Sequence, residues 1–454
     1  MDSPRALVLS FIWVIAVLPA RQVWCVPLNL KQTVEYAVEH SPRILSAKAN
    51  LSITELQYKT QISKLLPSLD LSAIHGFQNN IPVNAGSGLY SLNSAAPWSS
   101  SLNLGITESL YDNGSTLVQV SIAKLNRELA SVSYDKARDA LTLEVFNEFY
   151  KLSQAVVLLE VRQQQEATVN RQFAKLTQQY RQGLKTKTDY LRLKTQGQRA
   201  ELQRISAATD IQLSHAALRK LLAVGIHESG PKAPGDSVSL EFETLSVQKT
   251  QRVDDLLPLD KPPLEGFYDS RSSTIQNEIN GKNVYLTQRN YWPQVSLTGG
   301  VAYSNAAYLN SGLPFNSGSQ VAWNALLTLQ YNIWDWGIRG RNVGVAQLNR
   351  DIQENSLTQN LLEVNASING LMLDIYRIQK SLILNQELLI NEEETYRALE
   401  IQYREGKVAY LDLITGLGNL LDAKIQFYSI YFEALRSKAK HSYYKGKLYE
   451  TISS

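Results

Sequence analysis

"QYRQGLKTKTDYL", residues 179–191, returns in altered form as "QYREGKVAYLDLI" at 402–414. Gln179, Tyr180, Arg181, Gly183 and Asp189 match Gln402, Tyr403, Arg404, Gly406 and Asp412 at one constant offset. A glycine at the same place in both copies suits a chain reversal, because it tolerates the left-handed backbone that ends many helices. An aspartate six residues later falls at the N-cap or first turn of a returning helix, where a carboxylate accepts bonds from orphan amides. The stretch therefore reads as a tight turn between two helices, built twice.

The flanking sequence has helices to match. There is no proline between Pro97 and Pro231 or after Pro314, and no glycine between Gly114 and Gly183. Apolar residues recur at three- and four-residue steps through Ile122, Leu125, Leu129 and Val132, then Leu141, Val145, Phe149 and Leu152. This spacing predicts a helix filling the interval, roughly 100 Å long at 1.5 Å per residue. Its return runs from about Asp189 to Leu222. The second copy predicts Ile338 to Arg404 and a return from about Tyr410 to Lys447, with Gly370, Gly416 and Gly418 as weak points. An apolar stripe on so long a helix is a packing seam rather than a cofactor site.

Ahead of each long helix the period falls to two, the signature of strands. Leu69, Leu71 and Ala73 oppose Ser68, Asp70 and Ser72, and residues 102–106, "LNLGI", alternate in the same way. Val295, Leu297, Val301 and Tyr303 oppose Gln294, Ser296, Thr298 and Ser304. The clearest run is 321–333, where Val321, Trp323, Leu327, Leu329 and Ile333 share one face, with Asn324, Thr328 and Gln330 on the other. Pro67 and Pro293 stop a preceding helix where a strand begins. The strand-connecting loops, 81–97 and 307–319, are rich in Gly, Ser, Asn and Ala. Each copy thus contains a helix, two strands and a long helical hairpin. The boundaries are 26–224 and 269–454, joined by 225–268, which reads either as a plain linker or as a segment packed around the middle of the helices.

Arg5 followed by apolar Ala6 to Leu18 reads as a signal peptide ending near Cys25, so the chain is expected to be exported. With one cysteine, five scattered histidines and a formal charge of +3, the chain offers no disulfide, metal cage or polyanion-binding footprint. HExxH, P-loop and GxSxG motifs are absent, and Gly337, Gly340 and Gly344 do not form a dinucleotide fingerprint. The sequence therefore predicts no enzyme, no cofactor and no nucleic-acid partner. Trp98, Trp292, Trp323, Trp334 and Trp336 lie near strand ends, as an aromatic girdle requires, and the strands suit tilted bilayer spans. The rival is an exported coiled-coil structural or adhesive protein without a pore, its strands forming a soluble sheet. Four strands cannot close a barrel, and open edges in lipid leave backbone groups unsatisfied. The chain must then oligomerise: a dimer supplies eight strands around a nearly filled interior, a trimer twelve around an aqueous lumen.

These features resemble the TolC-like outer-membrane efflux and secretion channels. The likeness rests on "LNLKQTVEYAVEHSPRI", on "LLPSLDL" and "YWPQVSL" at helix-to-strand junctions, on "YDNGS" and "WDWGI" at the long-helix starts, and on the paired "YRQG" and "YREG" turns. It implies a mixed α/β membrane protein with two structural repeats. A homotrimeric twelve-stranded transmembrane β-barrel would continue into a periplasmic α-helical barrel, in the outer membrane of a Gram-negative bacterium. It also implies docking to a periplasmic adaptor and an inner-membrane pump or ABC transporter, with cargo left open. By the same resemblance, Asp189, Asp412 and Tyr403 form a gate at the inner mouth, with Tyr180 as repeat partner and Arg181 and Arg404 as ion-pair candidates. Lys185, Lys187 and Lys407 on the turns are expected to meet the adaptor. Two positions depart from the pattern: Thr415 stands where some members carry a second aspartate, and Val408 where some carry an arginine.

Overall fold

The computed structural model describes residues 27–76, 98–223, 241–242, 260–289, 291–308 and 316–453. The expected signal peptide with Cys25, the whole first strand-connecting loop 81–97, residues 309–315 of the second loop and most of the inter-repeat segment lie outside them.

Two helices begin the described chain, α1 (Leu30–His40) and α2 (Pro42–Ser63). Asn29 and Gln32 cap α1 reciprocally, each side chain accepting from the other's backbone amide at 2.9 and 3.1 Å. Then come the first long helix, α3 (Ser115–Arg181), and its return, α4 (Lys187–Leu221). The second half repeats the pattern with α5 (Tyr268–Arg289), α6 (Ile338–Arg404) and α7 (Tyr410–Tyr444), followed by a short α8 (Leu448–Ser453). Both long helices contain 67 residues and both returns 35. At 1.5 Å per residue the returns reach only about halfway along their partners. The strand-ward half of α3 is instead flanked by α2 and α5, and that of α6 by α5.

The seams are coiled-coil-like. Leu371, Ile375, Ile378, Leu382 and Leu389 on α6 follow heptad steps and pack against Leu420, Ala423, Phe427 and Ala434 on α7. At mid-length, Val34, Ala37 and Ile44 meet Leu141, Val145, Phe149, Leu152, Leu218 and Leu222. Fully burying each large side chain stabilises the fold by about 1.5–3 kcal/mol.

The return helix of the second copy stops three residues before the expected Lys447. Gly446 takes φ 68° there, and a Cβ on it would lie 2.7 Å from the Gly266 carbonyl oxygen, so the backbones touch and the chain must turn. Beside this contact Asp139, 0% exposed, accepts from the Tyr268 hydroxyl at 2.9 Å and from the Leu448 amide, the first of α8, at 3.1 Å. His441 bonds the Asp260 carbonyl at 2.7 Å, and Lys445 pairs with the Asp260 carboxylate. Phe267 packs on Val364 and Ile368. Residues 260–267 therefore sit at the middle of the helices.

Two short strands, β1 (Pro27–Leu28) and β4 (Glu241–Phe242), pair in parallel. The main sheet comprises β2 (Ser68–Gly76), β3 (Trp98–Tyr111), β5 (Gln294–Tyr308) and β6 (Asn316–Gln330), antiparallel in the order β2-β3-β5-β6. The strands carry pairing further into the second loop than the alternation over 321–333 indicated, whereas Tyr331 to Asp335 continue without ladder bonds. The register builds two chemically distinct faces. One carries the row Leu71, Leu104, Val301 and Trp323; the other carries Asp70, Gly105, Gly300 and Asn324. The apolar face is uncovered in the single chain, Trp323 being 79% exposed. Each strand-to-helix junction is tied by an aspartate: Asp112 accepts from the Gly114 and Thr116 amides, Asp335 from those of Gly337 and Arg339. No described helix is long and apolar enough to cross a membrane.

Candidate functional site

At the far end of each hairpin the opening stretch folds into a Schellman turn. In the first copy the Leu184 amide bonds the Gln179 carbonyl at 2.9 Å and the Gly183 amide bonds that of Tyr180 at 3.0 Å. In the second, Lys407 bonds Gln402 at 2.9 Å and Gly406 bonds Tyr403 at 3.1 Å. Gly183 and Gly406 take φ 75° and 72°, which is why both turns need glycine.

Both aspartates occupy the third position of the returning helix and reach back to its cap. Asp189 Oδ2 accepts from the Thr186 hydroxyl at 2.8 Å and from the Thr186 amide at 3.4 Å, while Thr186 Oγ1 accepts from the Asp189 amide at 3.2 Å. This is a complete capping box. Asp412 Oδ2 accepts from the Ala409 amide at 3.2 Å, but alanine has no hydroxyl to return the bond. Thr186 was legible as the start of a Thr-x-x-Asp box, yet its repeat partner Ala409 hid it from a comparison of the two copies.

The tip tyrosines pack inside their own hairpins. Tyr180 stacks on Tyr190 with ring centroids 5.1 Å apart, and Tyr403 meets Tyr410 edge-on at 5.9 Å. Tyr410 and Ile414 extend this packing across the hairpins, joining Val169, Leu176, Leu193, Phe173 and Tyr190. Tyr190 and Tyr410 are tip residues that the repeat comparison did not single out. The Tyr410 hydroxyl is buried without a hydrogen-bond partner among the described residues, and that burial pushes it well above the usual phenol range.

Charge at the tips is mostly satisfied locally. Arg404 pairs with Glu400 one turn back at 2.6 Å, and Lys407 with Glu405 at 2.7 Å. Within the chain, among the described residues, neither Arg181 nor Arg404 is paired with Asp189 or Asp412. Such exposed pairs contribute at most about 1 kcal/mol. Lys187, Lys407, Arg181 and Arg404 are exposed, Lys185 half-buried. The site is thus two carboxylate-bearing turns ringed by tyrosine and cations, with no cluster of metal-ligating residues among the described residues.

The sequence profile of the outer membrane efflux protein family matches residues 33–224 and 274–429, which take in the first hairpin, most of the second and all four strands of the main sheet. The chain belongs to that family. Among members of the outer membrane efflux protein family, it is 22% identical to outer membrane protein TolC of Salmonella enteritidis over 93% of this chain and 82% of that protein. It is 24% identical to OprJ of Pseudomonas aeruginosa over 87% and 77%. In three dimensions it resembles the Campylobacter jejuni CmeC outer membrane channel, with TM-score 0.78 and 17% identity over 92% of this chain and 86% of that one. The outer membrane protein VceC of Vibrio cholerae gives 0.72, with 17% identity over 94% and 96%. The chain is therefore an outer-membrane protein with the TolC-type channel fold, its long hairpins forming the periplasmic part.

Proposed function

We propose that the protein is the outer-membrane exit duct of a tripartite efflux pump or type I secretion system, conducting small molecules or polypeptide from an inner-membrane transporter to the exterior. The observation that carries this reading is the sheet, with an apolar face, a polar face and two margins, β2 and β6, that are unpaired among the described residues. In lipid each unsatisfied backbone group costs several kcal/mol, so the margins must meet those of other subunits. Three copies close twelve strands, wide enough for water, whereas two leave an interior that side chains nearly fill.

In the homotrimer the hairpins, organised as repeats 26–224 and 269–454, continue the tube into the periplasm. Their tips converge on its axis. Asp189, Asp412 and Tyr403, with Tyr180, Arg181 and Arg404 beside them, form the gate on the turns made by Gly183 and Gly406. Lys185, Lys187 and Lys407 face a periplasmic adaptor.

Purified full-length protein is expected to run as a detergent-resistant trimer and to make planar bilayers conduct. Asp189→Ala with Asp412→Ala, and separately Tyr403→Phe, are expected to raise single-channel conductance. Wild-type conductance and ion selectivity in both would reject the gate. A water-soluble monomer that never conducts would reject the duct and leave the exported structural protein.

A further inference from the structure

The barrel end of the chain is almost free of charge. No Asp, Glu, Lys or Arg occurs from 71 to 107 or from 290 to 334, a span that includes both strand-connecting loops. Within the four described strands only two such residues remain, Asp70 and Glu108, and the register puts them on opposite faces. Glu108 lies across from Leu297, on the face carrying Leu104, Val301 and Trp323. Asp70 lies in the row with Gly105, Gly300 and Asn324, on the face carrying Ser72, Asn103, Thr298 and Thr328. Asp70 is exposed, its carboxylate accepting from the Ser68 hydroxyl at 3.4 Å. Its next two neighbours along the row are glycines, which bring no side chain to screen it.

We infer that Asp70 sets the ion preference of the barrel half of the duct, a carboxylate on an otherwise uncharged wall that favours cationic over anionic solutes. The inference rests on the trimeric duct proposed above and adds a selectivity element at the end opposite the tips. Twelve strands spaced about 4.8 Å and tilted about 40° close at a radius of roughly 12 Å. Three Asp70 carboxylates then stand on the order of 9 Å from the axis, close to one Debye length at physiological salt. Their summed screened potential enriches cations over anions at the axis by about fourfold. Rings of charged side chains select ions by this means in other pores.

The test is the reversal potential of full-length channels in planar bilayers under a KCl gradient. It is measured on the Asp189→Ala/Asp412→Ala background, so that the two proposed gate carboxylates are removed. Asp70→Asn is expected to lower the potassium-to-chloride permeability ratio roughly two- to fivefold, and Asp70→Lys to lower it further. Ser72→Asp, one step along the same face, is expected to restore the ratio in the Asp70→Asn channel. Ser72→Lys is expected to lower it while Asp70 is retained, which provides a readout even if Asp70 variants assemble poorly. Glu108→Gln, on the opposite face, is expected to leave it unchanged. Conducting Asp70→Asn and Ser72→Lys channels with an unaltered reversal potential would overturn the inference while leaving the duct intact. An effect of Glu108→Gln equal to that of Asp70→Asn would overturn the assignment of faces. Absence of conductance in the parent protein would overturn the duct itself.

Discussion

The two tips provide an internally controlled experiment, because they differ at one cap. Thr186 and Ala409 hold nearly the same backbone, φ −81°, ψ 156° and φ −70°, ψ 153°, so threonine fits at 409 without strain. Ala409→Thr would give Asp412 the hydroxyl partner that Asp189 already has at 2.8 Å and would offer the Asp412 amide, which bonds the Ala409 carbonyl at 3.1 Å, the hydroxyl acceptor that Thr186 supplies at 3.2 Å. An N-cap hydroxyl contributes about 1 kcal/mol, or roughly fivefold in a local opening constant. Hydrogen–deuterium exchange of the amides from 409 to 413 is expected to slow by that factor. Thr186→Ala should speed exchange at 186–190 by a similar amount and leave the second tip unchanged. In bilayers Ala409→Thr should lower the open fraction if the tips form the gate proposed above, since opening would then displace this turn. Unchanged exchange in both variants would refute the account of the caps. Slowed exchange with unaltered gating would separate the cap from the gate.

Asp139→Ala leaves the Leu448 amide without this acceptor and the Tyr268 hydroxyl with only the Gly446 carbonyl, at 3.2 Å, and is expected to cost about 1–3 kcal/mol. Thermal melting in detergent should show the loss, and carboxypeptidase should trim α8 sooner; Asp139→Asn should fall between this variant and the parent. Melting at the parental temperature would contradict the assigned role. Burial pushes the Tyr150 and Tyr443 hydroxyls up to about 12, with Tyr431 assisting at Tyr150 and Asp269 at Tyr443. A raised folded-state value means that their contribution to stability is complete below about pH 10, where the unfolded tyrosine ionises, and is lost as pH rises toward 12. Melting temperature should therefore fall across that window as tyrosinate absorbance appears on unfolding; a flat profile would count against their burial.

The long helices were legible almost to the residue, because a stretch free of proline and glycine leaves few places for a helix to stop. Ile338–Arg404 has the limits its sequence indicates, and Ser115–Arg181 fills the interval between Gly114 and Gly183. The strands were legible through alternation, and Pro67 and Pro293 do precede β2 and β5. What periodicity cannot convey is which surface an apolar stripe meets. It marked Leu125 and Val132 as a packing face without revealing that Tyr268, Ile275 and Ile279 would cover them. Asp139 gave no signal for a related reason: a carboxylate between apolar positions reads as solvent-facing until a distant tyrosine and a helix amide converge on it. At the tips, glycine and aspartate announced the turns, but Tyr410 and Ile414 meet Leu193 only because the two hairpins lie side by side.

The margins of the sheet have a consequence for biogenesis. Because β2 comes early in the chain and β6 follows more than half of it, each seam of the proposed barrel joins an early strand of one polypeptide to a late strand of the next. A lone protomer then has no lipid-compatible resting form in which to await its fellows. Insertion and oligomerisation become one concerted event, whose rate should climb steeply with the periplasmic supply of completed chains.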